Sequence, residues 1–260
     1  MNKVVVGLCI VVLFGTAAQA AITWSAEFNS GKDADYTVTG IGTAPWSGSN
    51  TTAWSSDDGR GGSGCVESLA PGQLSYASQL GTVLNVSHGT ISMWFKPNYD
   101  STTPYTTYNG NDNPILNLGT GQGDKYNMVK LCFGNRYHSN RWVWYWGTGS
   151  TYSSMISTVG NTFEAGDWIN FTLTWNADGG ILKMYVNGEL SAEKTGTTWY
   201  NQPWALAIGN LFGASTNANG WIDSVKISDT FDDATLIPEP GTAAVILVGA
   251  GLTSLRRRNR

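Results

Sequence analysis

The sequence predicts an all-β protein in which two antiparallel sheets pack face to face as a β-sandwich. Over residues 169–175 the odd-numbered positions are apolar and the even-numbered ones are polar, the period-two pattern of a strand buried on one face. After the turn-forming residues 176–180 the alternation resumes over 181–186, which predicts a hairpin. Asn187-Gly188 favours a type I′ turn, so we expect a third strand from Glu189.

The composition agrees with a single large β domain. The chain has 260 residues, 32 of them glycine and 12 tryptophan, and only 13% are charged. Such low charge with many turn-forming residues is typical of all-β surfaces, and one sandwich can use about 200–250 residues. We therefore expect one domain over residues 21–237 and no second one.

The other strands follow from the same alternation along the chain. The first is expected at 22–28, paired with a last strand at 221–227 so that the two ends of the domain meet. The pattern predicts further strands at 65–69, 90–96 and 115–118, and a hairpin of 126–133 with 141–146. Residues 98–113 form a long loop with three tyrosines, a length at which loops are commonly functional or disordered.

Several short motifs occur in an order that resembles a known family. They are Gly89 to Pro97, Asp167-Trp168, Thr174-Trp175, Tyr185 to Gly188, and Ala207 to Asn210 followed by Gly220 to Ile227. Between residues 90 and 228 the chain resembles a laminin G-like, concanavalin A-like jelly roll. The resemblance implies a lectin/glucanase type of sandwich, a fold that serves lectins, enzymes and adhesion modules alike.

The N-terminus has the pattern of a secretory signal peptide. Lys3 precedes an apolar run over residues 4–14, and Ala18-Gln19-Ala20 supplies the small residues of a cleavage site after Ala20. Lipidation at Cys9 is not expected, because Leu8 stands where a small residue is needed. The pattern predicts export.

The C-terminus, residues 238–260, combines three features. Pro238, Glu239 and Pro240 end the domain, residues 242–255 are almost purely apolar, and the chain closes with basic residues Arg256, Arg257, Arg258 and Arg260. The apolar stretch predicts a helix, shorter than the ~20 residues of a full membrane span but with arginines able to snorkel. The tail resembles the PEP-CTERM sorting signal of Gram-negative bacteria. That resemblance implies an inner-membrane precursor, cleavage by an exosortase, and delivery to the cell surface or the exopolysaccharide matrix of a biofilm.

Charge excludes one class of partner. Removal of both ends takes away five of the 15 basic and one of the 19 acidic residues, which leaves 10 against 18 and a net charge of −8. Phosphate backbones are bound mainly by Lys and Arg, so nucleic acid is excluded as a partner. Neutral glycans and cationic surfaces remain open.

The predicted domain contains two cysteines, Cys65 and Cys132. Outside the cell the simplest expectation is one disulfide, which would close a long loop and add about 4 kcal/mol of stability. Two free buried thiols are the alternative, because the sequence does not show whether the two Cα atoms approach each other.

Aromatic residues supply the candidate ligand-binding positions. One face of a predicted strand carries Trp142, Trp144 and Trp146. These tryptophans either form a platform for sugar rings or belong to the inter-sheet core. In the second case Tyr145 and Arg141 face outward. Trp199, Tyr200 and Trp204 lie in a predicted loop, where they either bind a ligand or anchor the loop in the core.

No catalytic constellation is apparent. The E-x-D-x-E pattern of related glycoside hydrolases is absent, Glu189 and Glu193 are expected to be solvated, and His88 and His138 lack a nucleophile motif or zinc-ligand spacing. Calcium is possible through oxygens of loop residues, the candidates being Asn109, Asp112, Asn113 and Asp124, whereas Asp223 is expected to fix a turn.

The sequence thus predicts an exported, non-catalytic surface or matrix protein that binds carbohydrate or another extracellular partner. Two alternatives remain open. One is a polysaccharide hydrolase or lyase of the same fold, and the other is a structural matrix component without a specific ligand.

Overall fold

Fifteen strands account for the regular structure of the computed structural model. It describes residues 22–37, 53–68, 74–76, 84–102, 113–119, 129–135, 138–147, 152–196, 205–209, 218–233 and 235–237. The strands are β1 Ile22–Ala26, β2 Tyr36–Thr37, β3 Ala53–Ser55, β4 Cys65–Ser68, β5 Leu74–Tyr76, β6 His88–Pro97, β7 Asn113–Gly119, β8 Val129–Asn135, β9 His138–Gly147, β10 Tyr152–Ile156, β11 Ile169–Asn176, β12 Ile181–Val186, β13 Glu189–Thr195, β14 Ala205–Ile208 and β15 Gly220–Ser228.

The strands form two antiparallel sheets. The nine-stranded sheet has the order β13-β12-β11-β6-β15-β1-β2, and β4 joins it through β15 with β3 at its edge. The six-stranded sheet has the order β10-β9-β8-β7-β14-β5. The predicted all-β sandwich is confirmed. Within the described ranges no helix has the length and hydrophobicity of a membrane span.

The strands with the clearest alternation of apolar and polar residues lie where the sequence predicts them. The β11–β12 hairpin pairs Phe171 with Val186 and Asn176 with Ile181. Asn187 and Gly188 both have positive φ, as a type I′ turn requires, and β13 follows directly. The first and last strands pair as expected, with Ala26 opposite Val225.

The inner faces of both sheets are apolar and form one core, because each strand turns alternate side chains inward. From the nine-stranded sheet the core receives Trp24, Ile91, Met93, Phe95, Phe171, Leu173, Trp175, Leu182, Met184, Ile222 and Ile227, among others. From the six-stranded sheet it receives Leu74, Leu116, Leu118, Val129, Leu131, Phe133, Trp142, Trp144, Trp146, Leu206 and Ile208.

Trp142 connects the two layers. The centre of its ring lies 4.4 Å from the ring centre of Phe133 on the same sheet, in a tilted geometry. It lies 4.5 Å from the ring centre of Phe171 on the opposite sheet, in an edge-on geometry. Its Nε1 donates a hydrogen bond of 2.7 Å to the carbonyl oxygen of Gly160. The buried indole is therefore satisfied, and it ties the loop after β10 to the core.

After β15 the chain crosses the outer face of the nine-stranded sheet. This C-terminal segment, residues 229–233 and 235–237, lies on buried threonines of β6 and β11. Thr90 Oγ1 donates to the carbonyl oxygen of Thr230 at 2.6 Å, and Thr172 Oγ1 donates to that of Leu236 at 3.1 Å. The backbone N–H of Asp232 donates to Thr174 Oγ1 at 2.7 Å. Polar strand residues thus hold the end of the domain in place.

The predicted disulfide between Cys65 and Cys132 is absent: both cysteines are buried and neither is bonded to another cysteine. Cys65 lies on β4 of the nine-stranded sheet, whereas Cys132 lies on β8 of the other sheet, its side chain packed with Val143 on the outer face. Packed sheets are about 10 Å apart, beyond the ~7 Å that a disulfide allows between Cα atoms. Burial raises the pKa of the Cys65 thiol to about 12.

The predicted signal peptide (1–20) and sorting tail (238–260) lie outside the described residues, so their processing stays a prediction.

We predict that Thr174→Val weakens the fold through the C-terminal segment. Valine keeps the shape of threonine but leaves the N–H of Asp232 without its acceptor, so the free energy of unfolding should fall by about 1–3 kcal/mol. Urea denaturation followed by tryptophan fluorescence measures the change.

Thr195 provides the control, because it is exposed at the end of β13. The same substitution there should change the free energy of unfolding by less than about 0.5 kcal/mol. Equal effects of Thr174→Val and Thr195→Val would show that the hydroxyl on β11 does not hold the segment.

Candidate functional site

The register of β9 decides which side chains reach the outer face of the six-stranded sheet. The inter-sheet core contains Trp142, Trp144 and Trp146, all of them buried. Of the two roles predicted for these tryptophans, the structure therefore shows core packing and not a sugar platform. Because strand residues alternate, Arg141 and Tyr145 point the other way. Arg141 is exposed at the start of this face, and Tyr145 lies farther along it.

A row of side chains crosses the outer face from strand to strand. Backbone register places its members opposite one another on six neighbouring strands. They are Ser75, Ala207, Asn117, Lys130, Tyr145 and Ser154, here called the polar row. With strands spaced by ~4.8 Å, the row is about 24 Å long. The alanine in the row has no polar group, and the other five side chains offer hydroxyl, amide, ammonium or phenol groups.

Burial is uneven along the polar row. Lys130 and Ser154 are half-buried, Tyr145 is 7% exposed, and Asn117 and Ser75 are 1% and 0% exposed. The ammonium of Lys130 lies 4.8 Å from the ring centre of Tyr145. At the buried end, Asn117 Oδ1 and Ser75 Oγ have no hydrogen-bond partner. Such unpaired polar atoms cost about 1–3 kcal/mol each. Among the described residues other buried polar atoms, including Trp144 Nε1 and Asp233 Oδ2, also lack a hydrogen-bond partner.

An apolar cluster lies beside the polar row. Cys132, Val143 and Tyr145 pack together on the same outer face, with Ile156 against them. Cys132 and Val143 are fully buried on this face, so apolar and polar side chains are packed side by side there.

The charges of the two sheets differ. The six strands of the six-stranded sheet contain Lys130 and Arg141 but neither aspartate nor glutamate. The strands of the nine-stranded sheet contain four acidic residues, Glu67, Glu189, Glu193 and Asp223. The acidic strand residues thus all lie on the sheet opposite the polar row, where Lys96, Lys183, Lys194 and Lys226 balance them in number.

A polar cleft opens where β9 begins. Its volume is about 580 Å³, and among the described residues that line it Arg141 is the one with a charged side chain. The remaining walls are largely hydroxyl and amide groups, from Ser101, Thr102, Asn140, Thr158, Asn161 and Thr162. Arg141 Nη1 donates a 3.1 Å hydrogen bond to the carbonyl oxygen of Ser157, which fixes the side chain at the edge of the cleft.

Other predicted candidates do not join this surface. Trp199, Tyr200 and Trp204 lie outside the described residues, as do the loop residues Asn109, Asp112 and Asp124 proposed for calcium, and for Asn113 only the backbone is described. Among the described residues no group of three or more His, Cys, Asp or Glu side chains could hold a metal ion. Glu189 and Glu193 are exposed on β13, and His88 is exposed at the start of β6.

Asp223 fixes a loop, as the sequence predicted. The carboxylate is 3% exposed, and its Oδ2 accepts hydrogen bonds of 2.9 Å from the Arg60 backbone N–H and from Ser63 Oγ. Burial raises the pKa of this carboxyl group, and the two hydrogen bonds oppose that rise. The group therefore anchors residues 60–63 against the nine-stranded sheet.

Sequence reasoning missed Ser75, Asn117 and Lys130. The available signal was a polar residue between two apolar ones, as in Leu116-Asn117-Leu118. That pattern marks an outward position on a strand, but it does not show which outward positions of distant strands become neighbours.

Comparison with known proteins places the fold. A family model described as the concanavalin A-like lectin/glucanases superfamily matches residues 68–234. Comparison with curated proteins found no match.

Solved structures with related folds share little sequence with this chain. Domain 4 of AbnA, a GH43 extracellular arabinanase from Geobacillus stearothermophilus solved in complex with arabinotriose, is 16% identical, with a TM-score of 0.59 over 84% of this chain and 98% of that domain. The binding domain of botulinum neurotoxin serotype G is 14% identical, with a TM-score of 0.60. That of Paraclostridial Mosquitocidal Protein 1 is 16% identical, with a TM-score of 0.56. The matches cover 84% and 83% of this chain and half of each toxin domain. At such identities the likeness establishes the fold.

We predict that Asn117→Leu stabilises the protein without ligand. Leucine has the branching of asparagine but no polar atom to leave unpaired, so the free energy of unfolding should rise by about 1 kcal/mol. Urea denaturation measures it.

Asn170 on β11 is a matched control, because it is equally buried on the outer face of the other sheet but satisfied. Its Nδ2 donates to Ser92 Oγ at 3.1 Å and to the Met93 carbonyl oxygen at 3.2 Å. Asn170→Leu should lower the free energy of unfolding by about 1–3 kcal/mol. A loss of stability in both variants would contradict the assignment of Asn117 as a residue kept for binding.

Proposed function

Because the chain belongs to the concanavalin A-like lectin/glucanases superfamily, we propose that it binds carbohydrate, through the outer face of its six-stranded sheet. Family membership alone does not decide between binding and catalysis, since the fold serves both. The proposal therefore depends on the residues of the polar row.

The observation that carries the proposal is the pair of unpaired polar atoms at the buried end of the row, Asn117 Oδ1 and Ser75 Oγ. A buried acceptor without a partner is costly in the free protein, and a ligand that donates a hydrogen bond recovers that cost as affinity. Sugar hydroxyl groups donate and accept at once, so they suit both atoms.

The rest of the row fits the same kind of ligand. The half-buried Lys130, whose ammonium lies over the Tyr145 ring, can donate to ring or hydroxyl oxygens. Lys130 and Ser154, on either side of Tyr145, are the half-buried members of the row. A row of about 24 Å across the strands suits an extended oligosaccharide better than a single sugar.

We infer a binding role without catalysis. Hydrolysis of a glycosidic bond ordinarily needs two carboxyl groups on either side of the bond, separated by about 5–9.5 Å. No aspartate or glutamate occurs in the strands that carry the polar row. The proposed ligand therefore lies over hydroxyl, amide and cationic groups, which can hold a sugar but cannot act as the acid and nucleophile.

A glycan array with the purified protein tests this function. We expect binding to a subset of oligosaccharides, and Lys130→Gln should weaken that binding at least about tenfold, the worth of one hydrogen bond from a charged donor.

Lys226→Gln is the matched control, because it removes the same charge from the outer face of the opposite sheet, where Lys226 pairs with Glu27 at 2.7 Å. It should bind like the unchanged protein. An array without any bound glycan would leave only a structural role, and new reducing ends released on incubation would establish a hydrolase. Either result overturns the proposal.

We also propose that the protein is exported and passes through a membrane-anchored precursor to the cell surface or matrix. The support is the sequence of the two ends, with Ala18-Gln19-Ala20 at one and Pro238-Glu239-Pro240 before an apolar, arginine-terminated tail at the other. The expected mature form begins at Ala21 and ends near Pro240. Intact mass measurement of the protein purified from its own cells checks both ends, and an uncleaved chain would refute the processing.

A further inference from the structure

The polar cleft at the start of β9 contains one cationic side chain, that of Arg141, among its described lining residues. Arg141 is exposed, and in the part of the chain that the structure describes it makes no ion pair. Its one hydrogen bond, from Nη1 to the Ser157 carbonyl oxygen at 3.1 Å, leaves most of the guanidinium N–H groups for a ligand.

The cleft is built before any ligand arrives. Ser157 and Trp142 exchange hydrogen bonds, the Trp142 N–H to Ser157 Oγ at 3.0 Å and the Ser157 N–H to the Trp142 carbonyl oxygen at 2.9 Å. Thr158 Oγ1 donates to the Ser191 carbonyl oxygen at 2.5 Å. The acceptor that holds Arg141 is thereby fixed to β9, and a preorganised donor loses less entropy on binding.

The charge around the cleft favours an anion although the domain as a whole is acidic. The polar row, on the same outer face, adds Lys130 and no carboxylate. The acidic residues nearest in sequence to the lining, Asp100 and Glu164, are not part of it. The Asp100 carboxylate accepts the Ala165 N–H at 2.7 Å. The cleft walls then offer hydroxyl and amide groups to the uncharged part of the same ligand.

We propose that the glycan bound by this protein carries a carboxylate, as uronic acid sugars do, and that Arg141 binds it. The inference rests on the proposed carbohydrate binding. A guanidinium pairs with a carboxylate through two parallel hydrogen bonds, a geometry that hydroxyl groups alone do not match. Tyr145 lies four residues along the same strand, about 13 Å away, so one short oligosaccharide can reach both the cleft and the polar row.

Calorimetric titration with a panel of uronic acid oligosaccharides, each beside its carboxyl-reduced counterpart, tests the inference. The unchanged protein should bind the acidic form at least about tenfold more tightly than the reduced form. Arg141→Gln should abolish that preference, and Arg141→Lys should retain part of it because the charge stays while the paired donors are lost. Raised salt should weaken binding of the acidic form selectively.

Lys226→Gln again serves as the control for net charge and should keep the full preference, and thermal unfolding of each variant verifies that it folds. The inference is overturned if the reduced forms bind as tightly as the acidic ones, if Arg141→Gln keeps the preference, or if sulfated sugars without carboxylates bind equally well. These results would leave carbohydrate binding itself intact. If no sugar of either form binds, the proposed function fails as well.

Discussion

The packing of Trp142 between the two sheets is the contact on which the arrangement of the molecule depends. Its ring contacts Phe133 on one sheet and Phe171 on the other, and its N–H is satisfied by Gly160. A strand shifted by one residue would exchange its faces, exposing three tryptophans and burying an arginine. The register of β9 is therefore strongly fixed by the core, and this same register brings Arg141 to the surface and turns Tyr145 toward the outer face of the six-stranded sheet.

The two outer faces are put to different uses. On the nine-stranded sheet the outward threonines Thr90, Thr172 and Thr174 are paired with the C-terminal segment, so this face is closed by the chain itself. On the six-stranded sheet the corresponding outward positions include polar atoms that no protein group satisfies. Acidic strand residues are found only on the first sheet. The first face is thus covered by a described segment of the chain, although Asp233 Oδ2 within that segment is also buried without a hydrogen-bond partner.

The fold was predictable from the sequence because its strongest signals are local. Alternation over residues 169–186 and the Asn187-Gly188 turn fix a hairpin without knowledge of distant residues. Short strands such as β3 and β5 were not foreseen, because three residues carry too little pattern and become strands only through their partners. For the tryptophans of β9 the sequence did not decide between core and surface. The residues on the other face of the strand, Val143 and Tyr145, are also apolar or aromatic, so either face could have been the inward one. The candidate site was harder to predict than the fold, because the polar row takes one residue from each of six strands. The predicted disulfide was wrong because the sequence does not reveal that the two cysteines lie on different sheets.

The course of the chain beyond β15 also gives the domain an orientation. The last described residues, ending at Ile237, lie on the outer face of the nine-stranded sheet, on the side opposite the polar row. Any tether formed by the residues that follow would therefore be attached on the side of the nine-stranded sheet. The outer face of the six-stranded sheet would then point away from the site of attachment. Because Thr90, Thr172 and Thr174 bind the C-terminal segment, a force on such a tether would act directly on the central strands β6 and β11.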